Sequence, residues 1–388
     1  MKSYLIIGNG VAGITAAEHI RNLDDTGEIT VVTDETHNFY SRIRLNEYLS
    51  RSISKSQLII KKKQWYESRR IQVMLNTRIT EGDSRKSMVI SNDGQRFFYT
   101  RLLIATGSHS FIPPIRGAHL NGIFSLKNFD DANQILRYSR KVNDVVVIGG
   151  GLLGLEAGNA LRLDGKKVTV VEFFPRLLPR QLDEQGTDRL KQIMSTMGIS
   201  FRLGAKTREI HGDNAVSCVE LDTGERLPAQ MVIISAGVRP NIDLAAPLNL
   251  DTGKGIRVNE YLQTSQPGIY AAGDVAEFLA TMYGIWRAAM EQGKTAGINM
   301  AGDPTPYHGT TMANTLKVAG VDLGTAGNID AEHQFESTIR SDNQMYKKFV
   351  IHDNRLIGCI MIGDITGFNR IVNAISEKAD ASVIMNQL

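Results

Sequence analysis

Cysteine is almost missing from this chain: Cys218 and Cys359 are the only two in 388 residues, and no C-x-x-C spacing occurs. That scarcity argues against a disulfide framework and against a structural zinc site. The eight histidines are scattered without an H-E-x-x-H. Each reads as a surface or core residue, and no metal is expected. Long apolar runs are also missing, since none reaches the roughly 18 residues of a membrane span. An excess of one charge is missing too: 44 basic against 41 acidic residues leave +3, too little to suggest nucleic acid. The run Lys61-Lys62-Lys63 reads as a solvated face or, more sharply, as a docking patch for an acidic partner. Met1-Lys2 leads straight into "SYLIIG", which is too short for a signal peptide. A cytoplasmic protein of two or three domains is the expectation.

What the chain does have is glycine in register, twice. "SYLII" (3–7) is an apolar run of strand length, followed by "GNGVAG" and then "ITAAEHIRNL" with apolar residues at helical spacing. Gly8 permits the tight turn, Gly10 lets the backbone approach a diphosphate, and Gly13 lets helix pack on strand, with Ala12 between them. The helix N-terminus supplies N–H groups and the positive end of a dipole. A second strand, "EITVVTD", is read as ending at Asp34, an acid placed to accept ribose hydroxyls. Residues 144–172 repeat the unit. The strand at 145–148 leads to Gly149, Gly151 and Gly154, then a helix, then "VTVVE" ending at Glu172. Glu172 would pair with a ribose and repel a 2′-phosphate, favouring NAD(H) over NADP(H). Arg176, close by, weighs slightly the other way, since an arginine there can accept a 2′-phosphate.

Two complete loops imply two dinucleotides. Two nicotinamides have little chemistry to do together, whereas hydride passes readily from NADH to the N5 of a flavin. One loop is therefore assigned to FAD and the other to NADH.

Three further stretches sharpen this. "LLIATGSHSFIPP" (102–114) contains Thr106-Gly107, "MVIISAGVRPN" (231–241) contains Gly237, and "GIYAAGDVAEF" (268–278) contains Gly273-Asp274. Together with both loops, these five motifs in order resemble the pyridine nucleotide–disulfide oxidoreductase superfamily over roughly residues 1–302. The resemblance implies an α/β fold with two Rossmann-like domains and a small α+β C-terminal domain. An FAD domain at 1–111 and 242–306 would be interrupted by an NADH domain at 112–241, with a third domain at 307–388. It places Thr106 and Gly107 beside the flavin diphosphate and Asp274 on the ribityl chain. The tail reads as short strands, with a hairpin turning at His352-Asp353-Asn354 and a closing helix near 365–377.

The branch follows from the missing thiols. Disulfide reductases carry a C-x-x-x-x-C pair after the first ribose acid, and single-cysteine relatives carry one. Here the stretch is "NFYSRIRLNEYLS" (38–50), and Arg42 stands about where the single cysteine would be. A dithiol relay is excluded, so electrons must leave the flavin directly. "Y-S-R-x-R-L" resembles the loop of rubredoxin and ferredoxin reductases and of the flavin part of assimilatory nitrite reductases. The overall look is most similar to NADH:rubredoxin reductases. In that resemblance Arg42 lies near the FAD diphosphate or adenine, and Ile79 is a candidate for backbone contact with adenine. Oxygenase-type ferredoxin reductases have Ser-Lys where Asn46-Glu47 stands here.

Other residues keep two readings. Glu156, in the first turn or so of the second helix, sits favourably for the helix dipole; by resemblance it lies at the flavin–nicotinamide junction as a catalytic residue. Lys317, in "NTLKVAG", is an exposed strand lysine, or by resemblance the cation that stabilises the reduced flavin. Trp286 packs in its helix or borders the isoalloxazine. The expected function is an FAD-dependent NADH oxidoreductase passing single electrons to a small acidic carrier such as rubredoxin or ferredoxin. An NADH oxidase using oxygen and a non-catalytic NADH-sensing flavoprotein are the alternatives. No nucleic acid or membrane partner is expected, and the oligomeric state is left open.

Overall fold

The computed structural model describes residues 2–318, 320–342 and 345–382, with only the backbone of Lys317 and Val318. The chain divides into two compact units. One comprises Met1–Ile43, Lys55–His109 and Val238–Thr310; the other comprises Arg44–Ser54, Ser110–Gly237 and Thr311–Leu388.

The first unit is built on five parallel strands in the order Ile269–Ala271, Arg101–Ile104, Ser3–Ile7, Glu28–Val32, Ile71–Met74. The middle strand is buried from Tyr4 to Ile7, because helices and loops cover both faces of a parallel sheet. This is why "SYLII" is apolar without alternation. The helices Val11–Leu23 and Trp286–Ala301 pack backbone to backbone through small residues. A Cβ on Gly293 would stand 2.3 Å from the Ala12 carbonyl oxygen, and one on Gly297 would stand 2.6 Å from that of Ala16. That close contact fixes where the first helix begins. This unit also has a three-stranded meander, Ile79–Asp83, Met88–Ser91 and Arg96–Phe98, and a short parallel pair, Ile256–Val258 and Ala276–Phe278.

The second unit repeats the plan. Its five parallel strands run in the order Ser200–Leu203, Lys167–Glu172, Asp144–Ile148, Met231–Ile234, Ile123–Phe124. It also has a meander, Thr207–His211, Cys218–Leu221 and Arg226–Pro228. In both sheets the strand before the glycine loop is central, with the strand that follows the loop's helix on one side and a later strand on the other. The fold is thus α/β with two Rossmann-type sheets, as the sequence implies.

The second unit also holds a five-stranded antiparallel sheet in the order Ala313–Val318, Val321–Gly327, Arg355–Gly363, Tyr346–His352, Glu336–Ser341. The hairpin turns on Asp353 and Asn354 at φ 48° and 57°. Two consecutive left-handed residues make the tight turn that matches strand twist, and Asp and Asn tolerate that conformation best after glycine. The closing helix spans Phe368–Ser376. Among the described residues, no helix is long and apolar enough to cross a membrane.

A buried polar knot ties this sheet to the parallel one. Asp183 caps the helix Glu184–Thr196 by accepting from Gly186 N–H at 2.9 Å. Its other oxygen accepts from Tyr346 Oη at 2.7 Å and faces Lys348 Nζ at 3.3 Å. Lys348 in turn donates to the Asp330 carbonyl at 2.8 Å. All of Lys348, Asp183 and Tyr346 are buried. A hydrogen bond from a buried hydroxyl to a carboxylate contributes about 1.5–3 kcal/mol. Tyr346→Phe is expected to lose about that much in urea unfolding; a change under about 0.5 kcal/mol would mean the bond contributes nothing net.

Candidate dinucleotide sites

The first glycine loop forms because glycine alone fits it. Gly8 has φ +120°, and a Cβ there would lie 2.1 Å from the Ala105 carbonyl oxygen. A Cβ on Gly13 would lie 2.0 Å from the Gly8 carbonyl oxygen. Gly10 differs: nothing lies within 4 Å of a Cβ there, and the helix it starts has no side-chain cap. The loop is therefore closed against its own protein and open at the helix N-terminus. Asn9 lies in it with Nδ2 buried and without a partner, while its Oδ1 accepts from Tyr66 Oη at 3.1 Å. An uncapped helix start beside an unused donor is the chemistry that receives a diphosphate.

The second loop repeats this geometry. Gly149 has φ +117° and would meet the Ser235 carbonyl oxygen at 2.2 Å; Gly154 would meet the Gly149 carbonyl oxygen at 2.1 Å. Gly151 is open like Gly10, and its helix is also uncapped. Both loops fit a dinucleotide.

Around the first loop the structure gathers most residues singled out in the sequence. Thr106 Oγ1 donates to the Asn241 carbonyl at 2.9 Å, and Asn241 Nδ2 returns a bond to the Thr106 carbonyl at 2.8 Å. Gly107, at φ +68°, has open space where a side chain would be. Gly273 N–H donates to Gln292 Oε1 at 2.8 Å, and a Cβ on Gly273 would press on the Ala12 methyl at 3.2 Å. Asp274 accepts from Ser108 Oγ at 2.6 Å. Ile79 is buried at the start of the meander, opposite Ser91. Trp286 opens its helix and stacks on Phe39, with ring centroids 5.9 Å apart at 27°.

The acid at the end of the second strand is the main departure. The strand stops at Val32 rather than Asp34: Thr33 N–H makes the last bond to the neighbouring strand, at the Met74 carbonyl, and that strand itself ends at Met74. Asp34 is exposed. Glu35 is half-buried instead; it accepts from Tyr40 Oη at 2.7 Å and is ion-paired to Arg42. Glu35 thus joins the candidates, and Arg42 reaches the site through it.

In the second unit Glu172 closes the loop. One carboxylate oxygen accepts from Gly150 N–H and the other from Phe174 N–H at 2.9 Å. Arg176 Nη2 donates to the Pro179 carbonyl at 3.2 Å. Gly237 has φ +100° and open space at its Cβ position. Glu156 accepts from Asn46 Nδ2 at 2.7 Å, and burial pushes its carboxyl up to about 7. Lys317 lies on the strand Ala313–Val318, opposite Asp322; its side chain lies outside the described residues. Glu35 and Asn9 are not singled out by the sequence, and Asn46 stands out there only as a departure from Ser-Lys. A capping-like acid one residue past Asp34 was the only local signal for Glu35.

Both cysteines stand on strands, free of each other. Cys359 is fully buried, with its thiol pushed up to about 12 by that burial; Cys218 is raised as well, again mainly by burial. Neither has the lowered pKa of a reactive thiol. Replacing both, as Cys218→Ser with Cys359→Ala, is expected to leave steady-state NADH turnover within about twofold, because a thiol that stays protonated is no nucleophile. A tenfold loss in a yellow, folded variant would implicate a thiol.

Residues 2–293 match the pyridine nucleotide-disulphide oxidoreductase family, and residues 313–379 match the rubredoxin NAD+ reductase C-terminal domain. A nitrite reductase [NAD(P)H] of Bacillus subtilis is 34% identical over 385 residues, 98% of this chain and 48% of that protein. An NADH-rubredoxin oxidoreductase of Clostridium acetobutylicum is 30% identical over 374 residues, 96% of this chain and 94% of that protein. The crystal structure of the covalent putidaredoxin reductase-putidaredoxin complex superposes with a TM-score of 0.90 at 25% identity, covering 97% of this chain and 93% of that one. The chain spans about half the length of the nitrite and nitrate reductase relatives it matches. With both glycine cradles formed and residues 2–293 matching its model, the chain belongs to the pyridine nucleotide-disulphide oxidoreductase family.

Proposed function

We propose that this chain is an NADH-dependent FAD oxidoreductase that hands single electrons to a small iron-containing carrier, rubredoxin being the best fit. The observation that carries this reading is the pair of open, uncapped glycine cradles, one in each unit. The match of residues 313–379 to a rubredoxin reductase domain supports the choice of carrier. Bound there, FAD would supply the chemistry of accepting a hydride from NADH and releasing electrons one at a time.

The chain's own residues bind and orient. Gly8, Gly10, Ala12 and Gly13 present the first helix N-terminus to the FAD diphosphate. Thr106, Gly107, Gly273 and Asp274 line the remaining length, and Glu35 with Arg42 holds the adenosine end, with Ile79 near the adenine. Gly149, Gly151, Gly154 and Gly237 do the same for NADH, with Glu172 on its ribose. Glu156 and Lys317 are assigned to the reacting end. In domain terms, 1–111 and 242–306 hold FAD, 112–241 hold NADH, and 307–388 form the third domain. A cytoplasmic location suits such a carrier. Nothing here calls for a protein acid or base, so the rate comes from placement.

Glu172 sets the cofactor preference. Its carboxylate is buried and bonded to the loop's own N–H. A 2′-phosphate would meet this acid, so NADH is expected to exceed NADPH by about 10–100-fold in kcat/KM. Equal values would show that Arg176 receives the phosphate.

The experiment is anaerobic reduction with NADH followed by stopped-flow mixing with rubredoxin, ferredoxin or oxygen. Reoxidation by rubredoxin at least tenfold faster than by the others supports the reading. Oxygen as the fastest acceptor would favour an oxidase. A second reading rests on the 34% identity to half of a nitrite reductase: the electrons then go to a nitrite-reducing partner, and rubredoxin would be a poor acceptor.

A further inference from the structure

Glu156 lies on the helix Leu152–Leu163, two residues beyond Gly154. Its Oε2 accepts one bond, 2.7 Å, from Asn46 Nδ2 on the helix Leu45–Leu49. Asn46 Oδ1 is buried and accepts nothing. No cation answers the carboxyl among the described residues. The charge acting on it is Glu47, of like sign, itself held by Arg44 at 2.9 and 3.0 Å. Of the other elements against this helix, the strand Lys167–Glu172 carries one cation, Lys167, at the end away from the glycine loop and level with Asp144. Glu172 is spent on Gly150 and Phe174, Asp144 stands at the far end of its strand, and the strand Met231–Ile234 is apolar. Lys317, on the strand Ala313–Val318, has its side chain outside the described residues.

A buried acceptor without a donor is costly. A carboxylate with one hydrogen bond and a like-charged neighbour is poorly solvated. One proton on Glu156 removes the charge and adds an O–H donor to the side chain that the Asn46 amide already contacts.

We propose that Asn46 and Glu156 form a proton-linked positioning pair for the dinucleotide of the second glycine loop, taking up a proton when the nucleotide binds. This rests on the reading of that loop as the NADH site. The helix rise puts Glu156 about 6 Å along the axis from the helix start, past the turn where the dipole would favour its charge. A diphosphate at the N-terminus then lies well within a Debye length and raises the proton affinity of the carboxyl. Burial already holds that carboxyl near 7 in the free protein. The free protein therefore loses its proton as pH rises through about 7, while the bound form keeps it to higher pH. Between the two transitions each binding event takes up a proton, and affinity falls as pH rises. Below the first and above the second, affinity is flat.

The test is calorimetric titration of ADP-ribose, which carries the diphosphate but no reacting ring, into the FAD-loaded protein. Titrations in buffers of different ionisation enthalpy, at pH 6 to 9, count the protons. Uptake of about half to one proton near pH 7.5 is expected, with affinity falling roughly three- to tenfold across the window. Glu156→Gln should bind with no uptake and no such fall. Asn46→Leu removes the donor that favours the charged form, so its window should move to higher pH; Asn46→Lys should move it lower. Retained FAD shows that each variant is folded. Binding without proton uptake in the unaltered protein, or equal uptake in Glu156→Gln, overturns the proposal and leaves the NADH site standing. No binding of ADP-ribose at all would remove both.

Discussion

Gly10→Val should yield a folded but colourless protein. At φ −82° and ψ −175° the backbone at Gly10 is in the extended region that valine favours, and among the described residues no atom beyond the local chain lies within 4 Å of the new Cβ. The fold itself has no objection beyond about 1 kcal/mol for a poorer helix N-cap. On the proposed assignment of this loop to FAD, the space the valine fills is the space the diphosphate would enter. FAD affinity is expected to drop by about a thousandfold or more, since both the backbone approach and the N–H contacts are lost. Far-UV circular dichroism should be unchanged while flavin absorbance disappears. Gly8→Ala would be a poor substitute, because a Cβ 2.1 Å from the Ala105 carbonyl at φ +120° damages the fold as well. A Gly10→Val protein that keeps full FAD would show that the first cradle is only a tight turn.

The second cradle gives the complementary result. Gly151 sits at φ −79° and ψ 176° with equal freedom around it. Gly151→Val should stay yellow and stay reducible by dithionite. Its reduction by NADH should slow about a hundredfold or more at fixed NADH, because the nucleotide no longer seats on the helix start. The two variants thus separate the functions of two loops that look alike in sequence. Loss of FAD from Gly151→Val with NADH reduction intact would reverse the assignment of the loops.

Much of this was legible in the sequence because it is local. Each glycine loop, its strand and its helix lie within about twenty residues, and the spacing is dictated by the steric demands of Gly8 and Gly13. The Asp353-Asn354 hairpin was legible for the same reason: two residues that accept positive φ stand between two apolar runs. What escaped notice depends on partners distant in sequence. The second strand ends at Val32 because the neighbour it pairs with ends at Met74, and nothing near Asp34 announces that. Glu35 enters the site through Tyr40 and Arg42, across a turn of irregular backbone. Asn46 meets Glu156 because Leu49 packs in the same core as Ile135 and Leu155, far away along the chain. The buried Lys348–Asp183 pair joins residues of two different sheets' neighbourhoods, and a sequence reading would have placed that lysine on the surface.

The central claim is that this chain stores electrons on one flavin, with no thiol beside it. Anaerobic titration of the FAD-loaded protein with NADH tests it most directly. Full loss of the yellow absorbance at one NADH per flavin, with no thiols gained on reduction, is the predicted result. A requirement for two NADH per flavin, with two new titratable thiols appearing, would contradict it and return the chain to the disulfide-relay branch of its family.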